Sequence, residues 1–209
     1  MSVIIFDLET DSTIRDAPGR TRDEQVRNLQ FTVCSLLSID VEAIKRGDSP
    51  DVLVESGKIK SFWRDNQNDI DAMLAEFEKA TVIVGYNVFG FDFPVLCRFY
   101  KNKQQYHRHL CKSLDLFSRV RDVAGYWPKL DSLLTRNSMP TKTADGLLAI
   151  RWFAEGRLDE LKRYCESDVL CCAKLALSSE MLVDVPSVGT VIVPGHVFNV
   201  QAFLKSMSV

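Results

Sequence analysis

The chain has 209 residues, with 26 Lys and Arg against 28 Asp and Glu and a net charge of −2. Its 46% hydrophobic and 26% charged content is ordinary globular usage, which excludes intrinsic disorder, a collagen-like repeat and a coiled-coil rod. At this length one domain, or one domain with an appendage, is expected to bury a core without disulfides or a structural metal, and the near-neutral balance argues against a protein that coats nucleic acid everywhere.

The N-terminus, Met1 to Asp7, lacks a basic segment and meets a carboxylate at residue seven, so no signal peptide is expected. No run approaches the ~18–20 apolar residues of a membrane span. Six cysteines are present, none in a Cys-x-x-Cys pair, and Cys171 and Cys172 are adjacent. That pattern suits reduced, buried thiols in a cytoplasmic or other reducing intracellular compartment, not a secreted disulfide framework or a zinc knuckle.

In chain order, Val3–Phe6 is a short apolar run closed by polar residues and predicts a buried strand. Residues 11–30 are polar and Arg-dotted and predict a loop. Phe31–Ile39 and Val52–Phe62 predict two further strands around a Gly47-Asp48-Ser49-Pro50 turn. Ile70, Met73, Leu74 and Phe77 lie at i, i+3, i+4 and i+7, an amphipathic helix capped by Asn68 or Asp69. Thr81–Tyr86 predicts a buried strand. After a Gly-containing loop, Asp92-Phe93-Pro94 opens a helix that runs to about Lys101. Leu114–Phe117 predicts a fifth strand, Leu130–Leu134 and Gly146–Phe153 short helices, and Leu158–Leu177 the longest helix. Val183–Val200 predicts strand, turn, strand. The order gives a mixed α/β sheet with helices on its faces.

Three short motifs carry chemistry. Asp7 and Glu9 end the first strand, and the period of two places both on one side of it. Two such carboxylates are costly to bury without a positive partner, although an isolated pair also reads as solvated acids at a strand end. Asp92 follows Asn87-Val88-Phe89-Gly90-Phe91; on its own it reads equally as a helix cap, but the surrounding rings would supply a base-stacking wall. Tyr164 and Asp168 are four residues apart on one face of the long helix, with Asp168 beside the apolar stripe. A carboxylate there is seldom left without a partner. Glu166 reads as solvated surface.

In combination and order, Asp7-x-Glu9, Asn87…Phe91-Asp92-x-Pro94 and Tyr164-x-x-x-Asp168 resemble the three exonuclease motifs of the DEDD superfamily. They are most similar to its tyrosine (DEDDy) branch, which includes the 3′–5′ proofreading domains of family B DNA polymerases. The histidine branch places His five residues before the last Asp, where this chain has Arg163. The resemblance covers residues 1–178 and implies a ribonuclease H-like fold: a five-stranded mixed sheet with flanking helices. Residues 1–180 are expected to form that exonuclease domain and 181–209 a β-rich C-terminal extension. Two-metal phosphodiester hydrolysis needs a set of hard oxygen ligands for Mg²⁺ or Mn²⁺. The resemblance assigns Asp7, Glu9, Asp92 and Asp168 as those ligands, with Asp7 bridging both ions and Tyr164 orienting the attacking water. It suggests Thr10, Asn87 and Phe91 as contacts to the terminal nucleotide.

Residues 98–112 hold Arg98, Lys101, Lys103, Arg108 and Lys112 with no acid, and Tyr100 and Tyr106 between them. This stretch reads equally as a solvated helix end or a phosphate track, in which Arg98, Lys101 and Lys103 would contact substrate. His107 and His109 read as surface residues there. Trp63, Trp127 and Trp152 read as core or as base-stacking rings; Trp127, in Tyr126-Trp127-Pro128, is the one placed in a loop and the one to watch for stacking. The expected partner is nucleic acid with a single-stranded or frayed 3′ end, and the edge strands of the extension would suit a protein partner or a second copy. Two other readings stay open: an exonuclease-like binding or regulatory module that turns over little, and a small-molecule phosphatase. The latter wants Asp, not Glu, two residues after its nucleophile.

Overall fold

The computed structural model describes residues 1–141 and 146–207. Its elements in chain order are β1 (Ser2–Thr10), α1 (Arg22–Asn28), β2 (Phe31–Asp40), α2 (Val41–Arg46), α3 (Pro50–Ser56), β3 (Lys58–Trp63), α4 (Gln67–Lys79), β4 (Val82–Gly85) and α5 (Asp92–Leu96). There follow α6 (Lys103–Cys111), β5 (Ser113–Asp115), α7 (Leu116–Ala124), α8 (Leu130–Arg136), α9 (Gly146–Ala154) and α10 (Leu158–Leu177). The chain closes with β6 (Glu180–Val185), β7 (Gly189–Pro194), α11 (Gly195–Phe198) and α12 (Val200–Ser206).

Five strands form one mixed sheet in the order β3-β2-β1-β4-β5. β1–β2 and β2–β3 pair antiparallel, β1–β4 and β4–β5 parallel. β1 is central. Its alternation feeds two cores: Val3 and Ile5 pack with Val169, Cys172 and Ala176 of α10, while Ile4, Phe6 and Leu8 pack with Met73, Leu74 and Phe77 of α4. Continuing that alternation, Asp7 and Glu9 fall on the α10 side. At Glu9 the register slips: Leu8 faces Cys34 but Thr10 faces Phe31. Such a bulge re-aims a side chain at a strand end, and the Thr32 hydroxyl donates to the Glu9 carbonyl at 3.1 Å.

Several expectations need correction. The third strand is shorter than Val52–Phe62, because Ser49 accepts from the Val52 N–H and Pro50 takes the first helical turn, so the chain forms α3 before β3. The loop over residues 11–30 contains α1, closed by the reciprocal cap of Thr21 and Glu24 and anchored by buried Val26. The fifth strand ends at Asp115, whose carboxylate accepts from the Phe117 N–H and starts α7. The helix from Asp92 stops at Leu96, followed by a 3₁₀ turn over Cys97–Phe99. The C-terminal hairpin is a separate two-stranded sheet, and the segment after Pro194 is helical. Met181, Val183, Val193, Phe198 and Leu204 lie in the same core as α10. His109 is fully buried, bonded to the Tyr100 hydroxyl at 3.1 Å and the Glu78 carboxylate at 2.7 Å. Glu166 accepts from the Ser61 hydroxyl at 2.8 Å, a β3–α10 tie. Trp127 is 64% exposed. Among the described residues no helix is long and apolar enough to cross a membrane.

Candidate active site

Three segments converge at the C-terminal end of β1. The strand carries Asp7 and Glu9; α10 lies across that face, its Cys165 thiol directed at the Asp7 carbonyl at 3.4 Å. That contact brings Asp168, less than one turn further on, against the strand end. One carboxylate oxygen from each of Asp7, Glu9 and Asp168 lies within 4.8 Å of the others. Asp168 is fully buried and Glu9 is 9% exposed. Tyr164 is 2% exposed, and its ring meets Trp152 edge-on at 6.0 Å between centroids. Trp152 thus braces Tyr164 from α9, a role its position in sequence did not announce.

Asp92 arrives from β4 through the Tyr86–Phe91 loop. It is the first residue of α5 and is 2% exposed. Its carboxyl sits well above the usual carboxylate range, first because burial disfavours the charge and second because Asp7 is nearby; the peptide groups of Asp92 and Leu8 pull the other way. Its Oδ1 is buried with no hydrogen-bond partner among the described residues. The loop is tightly folded. A side chain at Gly85 would collide with Val88, and one at Gly90 would meet Oδ1 of Asn87 at 2.6 Å. Asn87 adopts a left-handed backbone, φ 63°, which Asn tolerates better than most residues.

A residue absent from the sequence reading holds this loop. Asp115, at the end of β5, accepts from the backbone N–H of Asn87 (2.7 Å) and Phe89 (3.3 Å), and from the Phe117 N–H (3.1 Å) and the Ser118 hydroxyl (3.2 Å). Burial raises its carboxyl above the usual value, and the Phe89 and Asn87 amides offset part of that rise. The available signal was an acid after a short apolar run and before Leu116 and Val120, a helix cap at a strand end. Nothing in the local pattern indicated that the capping carboxylate would also reach a loop 28 residues earlier.

These residues open onto a cleft of about 760 Å³. Asp7, Glu9, Thr10, Asn87, Phe91, Asp92 and Tyr164 line it, together with Phe117, Trp127, Lys129, Asp131 and Leu147. Thr10 is 8% exposed, and its hydroxyl donates to the Ser12 carbonyl at 2.9 Å. Arg98, Lys101 and Lys103 are not among the lining residues. Arg98 donates to the Arg27 carbonyl, Lys101 lies 3.9 Å from Asp71, and Lys103 is exposed at the start of α6. Sequence proximity to Asp92 therefore did not bring the basic stretch into the cleft.

The donor set is all carboxylate oxygen, with one buried Asp92 oxygen unbonded. That chemistry fits a hard divalent cation such as Mg²⁺ or Mn²⁺ better than a soft transition metal.

No protein-family model matches the chain, and no curated protein is significantly similar to it. Solved structures are. A family B DNA polymerase from the hyperthermophilic archaeon Pyrobaculum calidifontis matches with a TM-score of 0.56 and 17% identity, over 84% of this chain and 24% of that one. E. coli exonuclease I in complex with a dT13 oligonucleotide matches with a TM-score of 0.48 and 15% identity, over 84% of this chain and 40% of that one. The chain thus spans about a quarter of the polymerase and two fifths of exonuclease I. The polymerase likeness bears on the fold alone. That fold, five mixed strands with flanking helices, is the mixed sheet expected from the sequence.

Proposed function

We propose that this chain is a metal-dependent 3′–5′ exonuclease of the tyrosine branch, removing nucleotides from single-stranded or frayed 3′ ends of DNA or RNA. The observation that carries the reading is the carboxylate cluster. Asp7, Glu9 and Asp168, from elements far apart in sequence, bring ligand oxygens within 4.8 Å of one another, and Asp92 and Tyr164 line the same cleft as Asp7 and Glu9. Like charges concentrated at a sheet end are an expensive arrangement that a bound cation offsets.

Asp7, Glu9 and Asp168 would hold one divalent cation, and Asp7 with Asp92 a second. When bound, the pair would supply charge stabilisation for the attacking and leaving oxygens of phosphodiester hydrolysis and a water acidified toward neutral pH. The chain's residues do the positioning. Tyr164, which meets Trp152 edge-on and lines the cleft, would orient the attacking water. Phe91, one residue before Asp92, offers its ring to the terminal base, and Asn87 and Thr10 stand beside it.

The test is a 5′-labelled single-stranded oligonucleotide incubated with Mg²⁺ or Mn²⁺. The wild-type chain should shorten it stepwise from the 3′ end, Asp7→Ala should not, and a 3′-phosphate should block the reaction. Trimming that persists in Asp7→Ala, or cutting indifferent to the 3′ block, overturns the proposal.

A further inference from the structure

Of the described aromatic rings that line the cleft, Trp127 stands most open, and none of the roles above uses it. Trp127 is 64% exposed, and no ring contact to it is found among the described residues. An indole this open is unusual, since Trp normally buries most of its large apolar surface. It is nevertheless held in place. Gly125, at φ 63°, stops α7 with its N–H on the Arg121 carbonyl at 2.8 Å and turns the chain toward the cleft. One residue past Trp127, the Pro128 carbonyl accepts from the Tyr86 hydroxyl at 2.6 Å. Tyr86 is braced in turn by Phe117, ring centroids 5.6 Å apart. The loop presenting Trp127 is thus tied to the first residue of the Tyr86–Phe91 loop, which delivers Asp92.

Charge says what the ring is for. Among the described residues that line the cleft, Lys129 is the cation, set against Asp7, Glu9, Asp92 and Asp131. A polyanionic strand finds few phosphate partners there, and attraction to the acidic centre is left to bound cations. Stacking does not depend on charge, accepts any base, and requires a base free of its complement.

We infer that Trp127 is a base-stacking platform that holds an unpaired nucleobase of the substrate strand, beside the base that Phe91 flanks. This rests on the proposed exonuclease reading and adds to it a source of affinity and of single-strand preference. Selection follows from shape: a base within a duplex is already stacked on both faces, so only an unpaired or frayed end can offer one to Trp127. Affinity that comes from stacking should also depend less on salt than affinity from phosphate contacts.

Trimming of a single-stranded oligonucleotide by Trp127→Ala should show KM raised about tenfold, the value of one stacked base, with kcat within about twofold. Trp127→Tyr should recover most of the loss. An abasic site moved through the last four nucleotides should, at one position, cost the wild type the same factor and cost Trp127→Ala nothing further. Additive losses at every position, or an unchanged KM in Trp127→Ala, overturn the platform while leaving the exonuclease reading intact. If the wild type trims nothing, that reading falls, and oligo(dT) titration decides the platform separately. Tryptophan fluorescence should be quenched in the wild type and not in Trp127→Phe, and equal quenching in both overturns it.

Discussion

Two clusters of charge sit on opposite accounts in this molecule. Around Glu78, partners meet: Arg108 pairs with its carboxylate at 3.0 Å and buried His109 hydrogen-bonds it at 2.7 Å, while Lys112 donates to the Glu78 and Ala80 carbonyls at the end of α4. Arg108 and Lys112 of the basic stretch are there engaged in closing a helix and tying α6 to α4. At the end of β1, acids meet instead, and Asp92 is buried with an oxygen that has no hydrogen-bond partner among the described residues. The first cluster satisfies itself and is structure. The second gathers acids from two elements at one strand end, the arrangement that the proposed cation site calls for.

The largest effect expected from this contrast is in the acidic cluster. Asp168→Asn should lower the trimming rate about a thousandfold, the several kcal/mol a ligated cation contributes to charge stabilisation, with circular dichroism unchanged. A loss under tenfold would remove Asp168 from the site. Next comes Asp115→Ala, which frees the Asn87 and Phe89 amides and uncaps α7. About tenfold loss of rate is expected, with a stability cost of about 1–3 kcal/mol, and full activity would show that Asp92 needs no such support.

Asp92 itself sharpens the comparison through stability. Its raised folded value means the native state holds this proton more tightly than the unfolded chain. The stabilising contribution is therefore complete below the unfolded value of about 3.9 and is lost as pH rises through the folded value. At neutral pH, Asp92→Asn should raise the Tm of the metal-free protein by about 2–4 °C and reduce the rise that Mn²⁺ gives the wild type. A lower Tm in the variant at pH 7 would break that account. The smallest effect belongs to the basic stretch. Replacing Arg98, Lys101 and Lys103 together by Ala should change trimming by less than about twofold, as for exposed ion pairs. A salt dependence that flattens by about 0.7 per residue removed would instead restore them as phosphate contacts.

Legibility in the sequence followed the range of the interaction that decided each element. Leu158–Leu177 is read at its true ends because twenty residues of helical pattern leave no rival, and the central strand is read from its apolar run. The three motifs were legible because each lies within eight residues of chain. What failed was short and two-sided. Val52, Leu53 and Val54 suit strand or helix alike, and the Ser49-Pro50 cap decides between them. His109 looked like surface because its neighbours in sequence are charged, whereas its neighbours in space are Phe77 and Tyr100.

Alternation along β1 alone determines that Asp7 and Glu9 share a face, and helical spacing alone determines that Tyr164 and Asp168 share another. These are properties of covalent geometry and local periodicity. Only the tertiary structure decides that the two faces oppose each other, that Asp115 reaches back to hold the Asp92 loop, and that Trp127 lines the cleft while the lysines beside Asp92 do not. Those outcomes depend on which helix covers which side of the sheet, and burial of two apolar cores settles that through contacts no local pattern encodes.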